Sequence, residues 1–142
     1  MITHSHTVRV IYPDTDQMGY VHHSNYARYY ETARWELFRR KLNISYKNLE
    51  DQGFMLPVTD MTYKFIKPAR YDELLTIETT LAQLKGPRIA FRYRMFNEQK
   101  ELINQAEVVL ACVDKVTRKP CRIPGSLVQS VQKEIATELE TN

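Results

Sequence analysis

The chain has 142 residues, 20 of them basic and 17 acidic, for a formal net charge of +3. That length predicts one domain, residues 1–142, with a sizeable core, and a charge this mild and interspersed argues against nucleic acid or a membrane surface while still favouring a small anionic partner. No apolar run approaches the roughly 18 residues that span a bilayer, no apolar stretch follows Met1–His6, and the two cysteines do not make a disulfide framework, so a cytoplasmic protein with reduced thiols is expected.

Taken in chain order, a strand-like run covers Val8 to Tyr12, and a helix-like run begins near Asn25. In the helix Tyr26, Tyr29, Tyr30, Ala33 and Leu37 fall at helical spacing, with Trp35 and Phe38 widening the apolar face, so it should be mostly buried. Ser24 or Asn25 is expected to cap its start, Arg39, Arg40 and Lys41 suit its negative end, and Asn43 can take the left-handed closing position. A short second helix is predicted from Ser45, its cap, to Gln52, stopped by Gly53.

The periodicity then changes to two. Met61, Tyr63 and Phe65 form one alternating set, Leu75, Ile77, Thr79 and Leu81 a second, and Ile89, Phe91, Tyr93 and Met95 a third, which reads as strands with one covered face. A hairpin turn at Asn97–Lys100 leads to a strand near Leu102 to Val116, apolar on both faces from Val108 to Val113 and therefore expected at the centre of the sheet. Pro120 and Pro124 punctuate the exit, and Ser126 is expected to cap a last helix with Leu127, Val128, Val131, Ile135 and Leu139 along one side. Strand, long buried helix and consecutive strands make an α+β chain in which a helix packs on an antiparallel sheet.

The junction Tyr12-Pro13-Asp14-Thr15-Asp16-Gln17-Met18-Gly19-Tyr20-Val21-His22-His23-Ser24-Asn25-Tyr26 concentrates two carboxylates, two imidazoles, a glycine and three phenols at a helix start. Helix N-termini present unpaired N–H groups and partial positive charge, so an oxyanion would find donors there beside a carboxylate able to attack or to activate water. That combination points to acyl transfer. Asp14 fits a turn-holding role, His22 a place in solvent or an interface, and Gly19 a tight turn with no side chain in the way. His4, His6 and the His22–His23 pair do not supply a preorganised metal site, and no metal or other cofactor is expected. Cys112 reads as core, and Cys121 has no adjacent activator in sequence. Nothing resembles a phosphate-cradling glycine loop, a serine-hydrolase elbow or a Cys-x-x-Cys pair.

The run Asp14-Thr15-Asp16, Gly19, Val21, His23 and Tyr26, followed by an aromatic-rich helix, resembles the signature of the hotdog-fold acyl-CoA thioesterases, the family of 4-hydroxybenzoyl-CoA thioesterase. Phe65-Ile66-Lys67-Pro68-Ala69-Arg70-Tyr71-Asp72-Glu73-Leu74 resembles a second stretch of the same family, and the order of elements follows it from about residue 5 to residue 117. The resemblance implies a curved antiparallel sheet of about five strands wrapped around the long helix, with the C-terminal helix an addition. It implies that Asp16 is the catalytic carboxylate, as nucleophile or general base. It places His23 at the first turn of the helix, its backbone N–H on the thioester carbonyl, with Gly19 and Tyr26 on the substrate. Arg88, after Gly86-Pro87, matches a position that holds coenzyme A phosphates; Lys64, Lys67 and Arg70 are weaker candidates, and Arg92 and Arg94 read as a solvated strand face. Assembly as a homodimer or homotetramer with clefts between subunits is implied too. An acyl-carrier-protein substrate, or a non-catalytic module that binds acyl-CoA intact, are the competing readings.

Overall fold

A computed structural model describes residues 1–141. Strand β1 (Thr3–Arg9) leads through a single 3₁₀ turn at Tyr12–Asp14 to helix α1 (Asn25–Lys41), then to helix α2 (Tyr46–Asp51), β2 (Phe54–Met55) and β3 (Val58–Phe65). Strands β4 (Leu74–Lys85), β5 (Arg88–Phe96), β6 (Leu102–Ala111) and β7 (Val113–Asp114) follow, and helix α3 (Gly125–Thr141) closes the chain. The first strand thus begins earlier than the Val8–Tyr12 run predicted, because His4 and His6 alternate with Thr3, Ser5 and Thr7 along β4 as well as any apolar set would.

Five strands form one antiparallel sheet in the order β1-β4-β5-β6-β3. One face receives α1. Ile77, Leu81, Phe91, Tyr93, Met95, Val108 and Leu110 project from it onto Tyr30, Ala33, Leu37 and Phe38, all buried. The helix is held by this aromatic packing: Tyr30 lies against Tyr93 with centroids 4.5 Å apart, and Phe38 meets Phe91 edge-on at 5.8 Å. The opposite face carries Thr3, Thr62, Lys64, Glu78, Thr80, Arg92, Arg94, Gln105 and Glu107, a polar set, as the alternation requires.

The capping box of Ser45 and Asn48 starts α2, and the positive φ of Asn43 and Gly53 closes α1 and α2, where the sequence places them. Two expectations need correction. The strand at Leu102 is not central: β5 is, with β6 beside it, and the run to Val116 breaks at Cys112, whose backbone N–H turns to Pro87 O, so that Val113 and Asp114 pair with β2 instead. Ser126 lies inside α3 rather than capping it, and its hydroxyl donates to Gln52 Oε1. The apolar stripe of α3 is buried only at Leu127 and Val131, while Ile135 and Leu139 are exposed.

The strand β3 departs most from its alternation. Only Tyr63 is half-buried there, and Met61 and Phe65, on the helix side, are 42% and 55% exposed. It is an edge strand paired with β6 on one side alone, so α1 covers its helix-facing side chains only in part: Tyr63 stacks on Tyr30 and Phe65 meets Tyr26, yet Phe65 and Met61 stay largely open.

Candidate active site

The two family-like segments, some fifty residues apart in sequence, meet in space. Tyr20 bridges Arg70, Val21 N–H donates to Ala69 O at 2.8 Å, Tyr71 N–H donates to Gly19 O at 3.0 Å, and Ala69 N–H donates to the Tyr26 hydroxyl at 3.3 Å. Gly19 has φ +81°, a conformation that a side chain would strain. The resulting loop stands at the end of the sheet where β5 finishes and β6 starts, since Ile66 and Lys67 N–H both donate to Ile103 O.

The two aspartates have different surroundings. Asp14 is buried; its Oδ2 accepts from the Tyr29 hydroxyl at 2.6 Å, Arg28 forms an ion pair with it, and its backbone carbonyl accepts from His22 N–H and Asn25 Nδ2, both at 2.9 Å. It therefore holds the loop onto α1, a longer-range task than the local turn the sequence suggests. Burial, and after it the bond to Asp14, pushes the Tyr29 phenol well above its ordinary range, so it stays a donor. Asp16 is exposed. Its Oδ1 accepts from Met18 N–H at 2.8 Å and Tyr20 N–H at 3.2 Å, and Oδ2 has no hydrogen-bond or ion-pair partner among the described residues. One oxygen shapes the turn and the other is open.

The start of α1 also differs from expectation. Ser24 has helical backbone angles and makes no capping bond; its hydroxyl is engaged with His22 Nδ1 at 2.8 Å, and the Asn25 amide is spent on Asp14. No side chain claims the helix N–H groups, and the backbone N–H of His23 has no acceptor among the described residues. The His22 and His23 rings lie 4.2 Å apart, both exposed.

Beside this uncapped start is a cavity of about 290 Å³ walled by Val21, His23, Tyr26, Phe65, Ile66 and Pro68, with Lys67 among its lining. That is at the low end of small-molecule sites, large enough for part of a ligand. Tyr26 meets Phe65 edge-on at 5.3 Å, and burial raises its phenol pKa. Since its oxygen accepts from Ala69 N–H, the Tyr26 proton is free to donate. Lys67 is paired with Glu101.

His23, Tyr26 and the second family-like segment are brought together; Asp16 and Gly19 lie on the adjoining loop, and no hydrogen bond or ion pair joins Asp16 to His23 among the described residues. Arg88 is elsewhere. It begins β5 and donates to Gln83 Oε1 at 2.8 Å, a strand's length, roughly 25 Å, from the end where the loop stands. Arg94 pairs with Glu78, as a solvated face predicts, and the Arg70 guanidinium lies over Tyr20. The sequence reading missed Phe65 and Ile66 as cavity walls and the Arg28–Asp14–Tyr29 cluster. The alternation places Phe65 on the helix side, and that was the available signal; nothing local links residue 14 to residue 29. Among the described residues no group of three His, Cys, Asp or Glu side chains is placed to hold a metal ion.

A curled five-stranded antiparallel sheet around one long helix, with an acidic loop at the helix start, is the hotdog fold. Residues 12–133 match the thioesterase-like superfamily, and the chain belongs to that family. It is 38% identical over 121 residues to the acyl-CoA thioester hydrolase YbgC of Escherichia coli O6:H1, covering 85% of this chain and 90% of that one. A YbgC acyl-CoA thioesterase from Haemophilus influenzae is 36% identical over 84% of this chain and 88% of its own. A crystal structure of the DHNA-CoA thioesterase from Staphylococcus aureus superposes with a TM-score of 0.89 at 31% identity, covering all of this chain and 97% of the other.

Proposed function

We propose that this chain is an acyl-CoA thioesterase that cleaves the thioester to a free acid and coenzyme A, with Asp16 as the reacting carboxylate. The observation that carries the reading is the unclaimed His23 N–H at an uncapped helix start beside an apolar cavity, with an aspartate that has one open oxygen on the loop leading into that start. The acyl group occupies the cavity lined by Tyr26 and Phe65. Its carbonyl oxygen accepts from His23 N–H, where the helix dipole favours the negative charge that grows as the carbonyl carbon becomes tetrahedral. Asp16 Oδ2 attacks that carbon, or takes a proton from the water that does; the carbon–sulfur bond then breaks and the sulfur leaves as the protonated thiol, and in the first route a water hydrolyses the resulting anhydride to release the acid and restore Asp16. In this reading the His23 ring orients water or gives that proton.

The working unit is a homo-oligomer. The exposed edge of β3, with Met61 and Phe65 uncovered on its helix side, is the surface that a second copy would cover. In β3 the Val58 end lies at the Arg88 end of the sheet, through the pairs Val58–Leu110 and Ile89–Leu110, and the Phe65 end lies at the site, through Phe65–Asn104 and Met95–Asn104. Two copies paired antiparallel along β3 would set the Arg88 end of one beside the Asp16 loop of the other. That arrangement answers the separation within one chain and lets Arg88 bind the phosphates of a coenzyme A seated on the neighbouring subunit.

The experiment is thiol release from a panel of short, long and aromatic acyl-CoAs, run in parallel on Asp16→Asn. Turnover by wild type and its loss in the variant support the assignment. Binding of acyl-CoA with no thiol release would make the chain a binding module, and preference for acyl groups on a carrier protein would move the substrate to that class.

A further inference from the structure

We propose that Cys112 and Cys121 form an oxidative modification site: a dithiol that a hydroperoxide closes to an intramolecular disulfide, clamping the turn from which Arg88 projects. The two sulfurs lie 3.6 Å apart and nine residues apart in sequence. They face each other across a short antiparallel pairing, in which Val113 bridges Pro120 and Cys121 N–H donates to Cys112 O at 2.9 Å. Residues opposed across antiparallel strands have Cα atoms about 4.5–5.5 Å apart, inside the range of roughly 4.4–6.8 Å that disulfides span. Closure to a bond of about 2.05 Å therefore requires side-chain rotation and a small approach rather than a rearrangement of the backbone.

Burial separates the roles of the two thiols. Cys112 is fully buried, and desolvation, with the neighbouring Cys121 adding to it, pushes its thiol up to about 12. Cys121 is half-buried and lies in the stretch Lys115, Arg118, Lys119 and Arg122, with Asp114 the acidic residue there. It is the sulfur an oxidant in solvent reaches. As thiolate it attacks one peroxide oxygen; the O–O bond breaks, the departing oxygen leaves as water, and Cys121 becomes a sulfenic acid. The Cys112 sulfur then attacks the Cys121 sulfur, the S–S bond forms, and the hydroxyl leaves with the Cys112 proton as a second water. Two thiols have lost two electrons and the peroxide has gained them.

The pair sits beneath a functional element. Cys112 N–H donates to Pro87 O at 2.7 Å and Ile123 N–H donates to Gly86 O at 3.1 Å, so both cysteine-bearing segments grip the Gly86–Pro87 turn that precedes Arg88. A disulfide would lock these two grips together. Its effect on substrate rests on Arg88 contacting coenzyme A, whereas its formation does not.

The full chain is treated with hydrogen peroxide, alkylated under denaturing conditions and digested with trypsin, for which Lys115 and Arg118 lie between the cysteines. The expected result is protection of both thiols, an intact mass lower by two hydrogens, and linked Cys112 and Cys121 peptides that separate on reduction. In Cys121→Ser, Cys112 should remain alkylatable. A sulfinic acid on Cys121 with Cys112 still free, or a disulfide between two chains, would overturn the site. A KM for acyl-CoA that shifts several-fold on oxidation and returns on reduction supports the clamp. An unchanged KM with the disulfide formed overturns the coupling to Arg88 and leaves the thioesterase reading untouched.

Discussion

The Tyr29 hydroxyl donates to Oδ2 of the buried Asp14 at 2.6 Å, joining the middle of the acidic loop to the second turn of α1. With the Arg28 ion pair on the same carboxylate, this bond makes Asp14 a fastening and leaves Asp16, two residues on, as the aspartate with an open oxygen. Each aspartate should accordingly fail in its own way.

Asp16→Asn should fold normally, because an amide oxygen can still accept from Met18 and Tyr20 N–H. It loses the capacity to attack or to take a proton, so kcat should fall by roughly 10²–10⁴ with substrate affinity within a few-fold. Steady-state kinetics beside a thermal melt decide it, and wild-type turnover by well-folded Asp16→Asn protein would remove this residue from the chemistry.

Asp14→Ala should lower stability by about 1–3 kcal/mol, the scale for leaving buried partners unsatisfied, and Tyr29→Phe by about 1 kcal/mol. Because both changes break one bond, the double variant should cost less than the sum. Denaturant unfolding of the four proteins measures the coupling; strict additivity would mean that the bond contributes nothing.

Arg88→Ala should raise KM for acyl-CoA several-fold with kcat little changed, the signature of a contact made equally in ground and transition states. Added salt should erode the difference, since a phosphate contact is screened. A KM identical to that of wild type at every ionic strength would place Arg88 outside the substrate site.

Met61→Lys puts a charge on the uncovered side of the β3 edge. Light scattering with activity measured across dilution should show a smaller species that has lost turnover, while circular dichroism stays native. A fully active monomer, of either the variant or wild type, would contradict the shared cleft.

Stability should fall steeply in alkali. Burial raises the pKa of Tyr26, Tyr29 and Tyr30, and that of Tyr93 to about 12. An unfolded tyrosine ionises near 10, so above that pH the unfolded chain holds fewer protons than the folded one and is lowered in free energy relative to it. The contribution is complete below about pH 10 and is lost as the pH climbs through the folded values. A flat unfolding free energy from pH 8 to 11 would mean that these phenols are not desolvated.

Local chemistry determined much of this protein. The four-residue spacing from Tyr26 through Tyr30 specifies a buried helix, the alternation in β4 and β5 specifies strands with one apolar face, and the residues between Asp14 and Tyr26 mark a reactive junction, because each signal is a periodicity or a neighbourhood that the backbone repeats in space. What required the tertiary structure is everything set by contacts between distant residues. The alternation of β3 predicts a covered face, but strand order makes it an edge and leaves Met61 and Phe65 exposed. Val108 to Val113 looks central because both faces are apolar, yet the chain turns at Cys112 to satisfy Pro87 O. Two aspartates two residues apart are alike in sequence, and only the arrival of Tyr29 and Arg28 buries one of them and leaves the other open. The cavity needed Phe65 to meet Tyr26, a contact between a strand and a helix start that no local pattern encodes.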